Sequence, residues 1–153
     1  MAKVALITGI TGQDGSFLAE SFRHDVKYGI SPQMVELWGT GKPLREFLWS
    51  EEMADACVYI MEQVDFDDLK GTNSDIRNCH INIGAGEEIT IAALAQLIAN
   101  TAQYKGIIKF NPKKSDDTMR KLTDPSKLHA LGWHHKIGIA EGAESLFKWY
   151  LNN

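Results

Sequence analysis

Residues Val35 to Trp49, V-E-L-W-G-T-G-K-P-L-R-E-F-L-W, constrain this chain more than any other stretch. Val35, Leu37 and Trp38 suit a short strand. Gly39-Thr40-Gly41 and Lys42-Pro43 interrupt it, and Arg45 stands just before a second apolar run, Phe47-Leu48-Trp49. An aromatic plane thus lies a few residues from a cation, joined by glycines that let backbone approach a ligand. That layout suits a nucleotide, with a base at one end and phosphates at the other. The plainer alternative is a hairpin in which Trp38 is core and Arg45 is solvated.

Other segments alternate between strand and helix. Lys3 to Ile7 is a continuous apolar run, as in a parallel strand buried on both faces, and Gly9, Gly12 and Gly15 follow with G-x-x-G-x-x-G spacing. Ser16 to Val26 reads as a helix. Strand, glycine turn and helix together are the dinucleotide fingerprint, in which main chain approaches a pyrophosphate at a helix N-terminus. Ser50 is expected to cap a helix whose core face is Met53, Cys57, Ile60 and Met61. Asp65 to Asn78 reads as an exposed connection.

Cys79 to Ile83 alternates as a strand, placed beside Val4 to Ile7, and His80 within it reads as structural. Thr90 caps a helix over 91–103 with Leu94, Leu97 and Ile98 as its apolar stripe. Ile107 to Phe110 is a short strand, and the stretch after it is loop by composition. Pro125 opens a helix over 126–131 that Gly132 closes. Ala140 to Leu151 forms a last helix, with Ala143, Leu146, Phe147 and Tyr150 inward. The alternation predicts an α/β domain.

The 153 residues, 44% of them hydrophobic, allow one core. A formal net charge of -4, with sixteen Lys and Arg scattered along the chain, gives no global attraction to nucleic acid. No apolar run reaches the roughly 18 residues of a membrane span, so a cytoplasmic setting is expected. Cys57 and Cys79 have no metal-ligand spacing and read as buried free thiols. His24, His80 and His129 are isolated, and the His134-His135 pair points apart, so no metal site is expected.

The blocks Trp38-Gly39-Thr40-Gly41-Lys42-Pro43-Leu44-Arg45-Glu46-Phe47-Leu48, Met53-Ala54-Asp55-Ala56, His80 to Gly86, Arg120-Lys121-Leu122 and Leu131-Gly132-Trp133 stand in the order of a known pattern. The chain resembles the C-terminal half of GDP-L-fucose synthases, extended short-chain dehydrogenases, over about residues 22–151. The segment from Ala5 to Glu20 instead resembles the opening of GDP-mannose 4,6-dehydratases. The expected organisation is therefore a fingerprint segment at 1–21 joined to a substrate-binding portion at 22–153, as a fusion or deletion between neighbouring pathway genes would produce.

The resemblance implies a truncated Rossmann-like, NAD(P)-binding parallel sheet with the small substrate lobe of this group, NADP as cofactor and a GDP-sugar as ligand; a homo-oligomer is compatible with it, but dimerisation in this group uses helices that include the catalytic one, so oligomeric state is not inherited. It places Trp38 against the guanosine, Arg45 on the diphosphate, and Asp116 and Lys121 in further GDP-sugar contacts. Gly9, Thr11, Gly12, Gln13, Asp14 and Gly15 would hold the cofactor pyrophosphate. Catalysis in the group uses Tyr-x-x-x-Lys, a tyrosine acid/base with its lysine one helical turn on. The residues four after Tyr28, Tyr59 and Tyr104 are Pro32, Gln63 and Ile108, and Tyr150 has only three residues behind it. No tyrosine qualifies, so no catalytic residue is assigned. Glu36, near the distance of a ribose ligand from the glycines, sits inside the strand and is read as part of it.

Overall fold

A computed structural model describes residues 34–70 and 79–152. The expected strand and helix before residue 34, the glycine fingerprint and the dehydratase-like segment lie outside the described residues.

Two apolar clusters organise what is described. The first forms where β1 (Met34–Trp38) pairs in parallel with β4 (Ile107–Asn111), from Met34 opposite Ile107 to Trp38 opposite Asn111. Strand periodicity sends Val35 and Leu37 to one face, 4% and 3% exposed, while Met34 and Glu36 face outward. Helix α3 (Ile91–Thr101) covers the buried face with Ala95 and Ala99, and Ile98, Ile108 and Phe110 close the edges. Thr90 caps α3 as expected, its hydroxyl accepting from the Ala93 amide at 3.1 Å. Beyond α3, Gln103 adopts a positive φ of 54°, and the Tyr104 amide donates to Ala99 O, reversing the chain into β4.

A second, three-stranded sheet draws two strands from between β1 and α3 and one from beyond β4, all very short. β2 (Leu44–Arg45) is its centre, antiparallel to β3 (Ile89–Thr90) and parallel to β5 (Arg120–Lys121). Glu46, next in the chain, joins two loops by accepting from the Gly86 amide at 2.6 Å and the Thr123 amide at 2.9 Å.

The second cluster is Ala56, Leu128 and Trp133, packed by Leu48, Tyr59, Ile60, Ile81 and Ile83. It is made by α1 (Ser50–Gln63), α4 (Ser126–Ala130) and the segment after α4. A short helix α2 (Phe66–Lys70) follows α1, and α5 (Ile139–Leu151) ends the chain.

Several details differ from the sequence reading. The residue at the N-cap of α1 is Trp49, without a side-chain cap, and Ser50 is already helical. Of the expected inward face of α1, Ile60 does pack against the second cluster and Met53 is half-buried, but Cys57 and Met61 face outward, Met61 86% exposed. The face turned to the chain beyond α4 is Glu52, Asp55, Ala56 and Tyr59, spaced i, i+3, i+4 and i+7, with Glu52 and Ala56 buried, Tyr59 half-buried and Asp55 at its exposed rim. Its polar members hold the chain beyond α4. Glu52 Oε1 accepts from the amides of Lys136 and Ile137, Asp55 accepts from the Trp133 indole at 2.9 Å, and the Tyr59 hydroxyl donates to Leu131 O at 2.7 Å. A helix face held by such bonds does not show in a hydrophobic periodicity, although Glu52 Oε2 itself is buried without a partner among the described residues.

The two cysteines are therefore not a buried pair, since Cys57 is exposed and Cys79 half-buried. Cys79 to Ile83 forms no strand. Ile81 and Ile83 do turn to the second cluster as alternation requires, but no described strand lies alongside to complete a ladder. In α5 the buried position is Gly142, whose added Cβ would meet the Trp49 ring at 3.3 Å, and Leu146 is 39% exposed. Pro125 sits at the N-cap of α4, one position earlier than expected.

Leu128 is completely buried, so Leu128→Ala is expected to cost about 2–5 kcal/mol in a urea unfolding titration. Met61→Ala, on the face that periodicity alone marks as core, is expected to change stability by less than about 0.5 kcal/mol.

Candidate functional site

The four residues singled out from sequence lie on two stretches of chain that run against each other, 38–45 and 111–121. Backbone bonds from Gly39 N to Asn111 O at 3.1 Å and from Leu44 N to Met119 O at 2.8 Å mark the two ends of the contact. Trp38 ends β1, Arg45 ends β2, Asp116 lies in the loop between β4 and β5, and Lys121 ends β5.

Between Trp38 and Arg45 the chain turns through Gly39 and Gly41, at φ +82° and +73°. Side chains are excluded at both positions by space as well as by φ. A Cβ on Gly39 would stand 2.2 Å from Asp116 Oδ1, and one on Gly41 would stand 2.5 Å from the Phe110 ring. Thr40, between them, is held by both oxygens of Asp116: its amide donates to Oδ1 at 2.8 Å and its hydroxyl to Oδ2 at 2.6 Å. Asp116 is thus the latch of the turn.

Its carboxyl is held below the ordinary 3.8, first by the Thr40 hydroxyl, then by the Thr40 amide, with the charges of Lys42 and Arg45 adding to a balance that outweighs partial desolvation. Glu36, read from sequence as a strand residue, accepts from the Asn111 side chain at 2.8 Å across the β1–β4 pair.

Arg45 is oriented from one side. Its Nη1 donates to Leu44 O at 2.8 Å and Thr118 O at 2.6 Å, and its Nη2 stands 3.4 Å from Asp117 Oδ2. Lys121, the register partner of Arg45 in the parallel β2–β5 pair, reaches the same Asp117 oxygen at 3.6 Å. Arg120 turns instead to Glu88, at 2.8 Å. The segments 38–46 and 109–121 hold seven Lys and Arg against three carboxylates, in a chain whose net charge is -4. Cations scattered in sequence are gathered by the fold into a local positive field.

Three participants escape a reading of spacing. Lys114 places its ammonium 4.6 Å from the centre of the Trp38 ring, an arrangement worth about 0.5–1 kcal/mol at an exposed site. Thr40 and Asp117 are the others. The neighbouring acids Asp116 and Asp117 look alike in sequence and do different work, one on the turn and one on the cations.

No group of three or more His, Cys, Asp or Glu among the described residues is placed to hold a metal. His129, isolated in sequence, in fact stacks on His134 with ring centres 4.4 Å apart. No helix among the described residues is long and apolar enough to cross a membrane.

Since folding depresses the Asp116 carboxyl, the latch contributes its full stability above the ordinary carboxylate pKa and loses it as pH falls through the depressed value. Hydrogen exchange at the Thr40 amide is therefore expected to stay slow from pH 7 down to about 4, and to become fast at pH 7 in Asp116→Ala.

Comparison with known proteins fits these observations. Residues 23–84 match the NAD dependent epimerase/dehydratase family. The GDP-L-fucose synthase of Escherichia coli K12 is 41% identical over 130 residues, 85% of this chain and 40% of its own. GDP-L-fucose synthase 1 of Arabidopsis thaliana is 38% identical over 130 residues, 85% of this chain and 36% of its own. The structure of a GDP-mannoheptose C4 reductase from Campylobacter jejuni with NADP bound superposes with a TM-score of 0.73 at 36% identity, covering 90% of this chain and 44% of the reductase. The chain spans less than half the length of these relatives. By sequence it is GDP-L-fucose synthase-like, and by architecture it carries part of the Rossmann-like α/β fold of the NAD dependent epimerase/dehydratase family.

Proposed function

We propose that this chain binds the GDP moiety of a GDP-sugar of the GDP-4-keto-6-deoxymannose type, with the guanine against Trp38 and the diphosphate on Arg45 and Lys121. The observation that carries the reading is the placement of an aromatic plane and two register-paired cations at opposite ends of one glycine turn. Gly39 and Gly41 are themselves buried, their Cβ positions filled by Asp116 and the Phe110 ring, so the turn serves by fixing the spacing between the aromatic plane and the cations. Arg45 is held by backbone carbonyls on Nη1 and keeps Nη2 turned toward an anion, as a phosphate donor requires. In this reading Asp116 takes part in recognition through the turn that it latches.

Catalysis is not part of the proposal for the chain alone. The sequence contains no Tyr-x-x-x-Lys, and the Tyr59 hydroxyl is bonded to Leu131 O, where it holds structure together. The Campylobacter jejuni reductase named above, with NADP bound, supports NADP as the family's cofactor. Gly9, Thr11, Gly12, Gln13, Asp14 and Gly15 would hold its pyrophosphate if this chain binds it, but they lie outside the described residues, and no step is routed through it. A cytoplasmic setting belongs to the same reading by likeness to the family, and self-association is compatible with it.

Calorimetric titration of the chain with GDP is expected to show saturable binding, weakened about 10- to 100-fold by Arg45→Ala, the loss of charge-assisted hydrogen bonds to phosphate. Heat that does not saturate, or an affinity unmoved by Arg45→Ala, defeats the reading. Turnover of GDP-4-keto-6-deoxymannose with NADPH by the purified chain would defeat its noncatalytic part.

A further inference from the structure

One side chain already holds the place that the proposed diphosphate needs. Asp117 Oδ2 lies 3.4 Å from Arg45 Nη2 and 3.6 Å from Lys121 Nζ, a single carboxylate oxygen shared by two cations. Arg45 is only 16% exposed, so the face that it turns to Asp117 is the face open to an incoming anion, whereas Asp117 is 64% exposed and backed by solvent. Asp116, next to it, has both oxygens on Thr40 and does not compete for the cations.

A carboxylate oxygen and a phosphate oxygen make the same demand on a guanidinium and an ammonium: each accepts their N–H bonds and neutralises their charge. Both cannot sit on the same donors, and if both stay close they repel.

We propose that Asp117 is an internal anion on the phosphate position, which offsets part of the charge of Arg45 and Lys121 when no ligand is bound and competes with the ligand for them. This deepens the GDP-binding reading and rests on it. Asp117 sets how much negative charge a ligand must bring in order to displace it. A nucleoside diphosphate exchanges a weak, solvent-backed contact for a stronger one. A ligand without phosphate gains nothing at these cations and feels no competition there. The ion pairs of Asp117 are exposed, so their hold is modest and sensitive to salt.

The test is calorimetry on the whole chain with GDP and with guanosine, at low salt and at about 0.5 M salt, comparing Asp117→Asn and Arg45→Ala with the unaltered protein. Asparagine preserves the shape of the side chain and its acceptance from the Thr118 amide, and Asp117→Ser serves as a second variant should asparagine disturb the loop. The proposal expects Asp117→Asn to raise GDP affinity about 3- to 30-fold at low salt, to lose most of that gain at high salt, and to leave guanosine affinity unchanged. GDP affinity that is unchanged or lower in both Asp117 variants, while Arg45→Ala still weakens it, overturns the proposal and leaves the binding site standing. An equal rise for guanosine also overturns it, as the sign of a loosened loop. If Arg45→Ala and Asp117→Asn both leave GDP affinity where it was, the underlying site reading falls.

Discussion

The Asp116 carboxylate on Thr40 is the contact on which the rest of the site depends. Turn 39–41 has two glycines at positive φ and lacks the regular hydrogen bonding of a helix or sheet, so its conformation must be imposed from outside. Asp116 imposes it from 76 residues away by accepting from both donors of Thr40. With the turn set, Trp38 stays at the end of the β1–β4 pair and Arg45 enters the small sheet. Loop 112–119 is set by the same contact, which brings Lys114 to the indole and Asp117 to the cations. Local backbone, sheet geometry and surface charge are thus linked through one carboxylate.

Much of this architecture was legible in the sequence, and the failures share a physical cause. Strands β1 and β4 were visible because one face of each turns to the first cluster, buried at Val35 and Leu37 and half-buried at Ile108 and Phe110. The Thr90 cap and the glycine turn were visible because their chemistry is local. The inward face of α1 was misread because Glu52, Asp55 and Tyr59 reach it as hydrogen-bonding groups, so hydrophobicity pointed about a quarter-turn away, to Cys57 and Met61. Cys79 to Ile83 has the letters of a strand, but a strand exists only with a neighbour. At the site, Trp38 and Arg45 stood out through their spacing. The division of labour between Asp116 and Asp117 did not, because it depends on which partners the fold delivers from far away in the chain.

The likeness to GDP-L-fucose synthases comes from matched residues along the chain, and it named the residues whose distances the site description reports. In the proposed reading the edge formed by 38–46 and 109–121 binds a nucleotide without a tyrosine–lysine pair on one helical turn, so recognition would be separable from proton transfer. Charge does most of the organising at that edge. Seven basic side chains fall in two facing segments of an acidic chain, and only part of that charge is neutralised from within.

The centre of the small sheet is two residues long, and those two residues carry every ladder bond between β2 and its neighbours on both sides. A strand so short has almost no stiffness of its own. Arg45 therefore ties residues 89–90 and 120–121 to one point of chain, and through Thr90, which caps α3, that point adjoins the start of the helix over the first cluster.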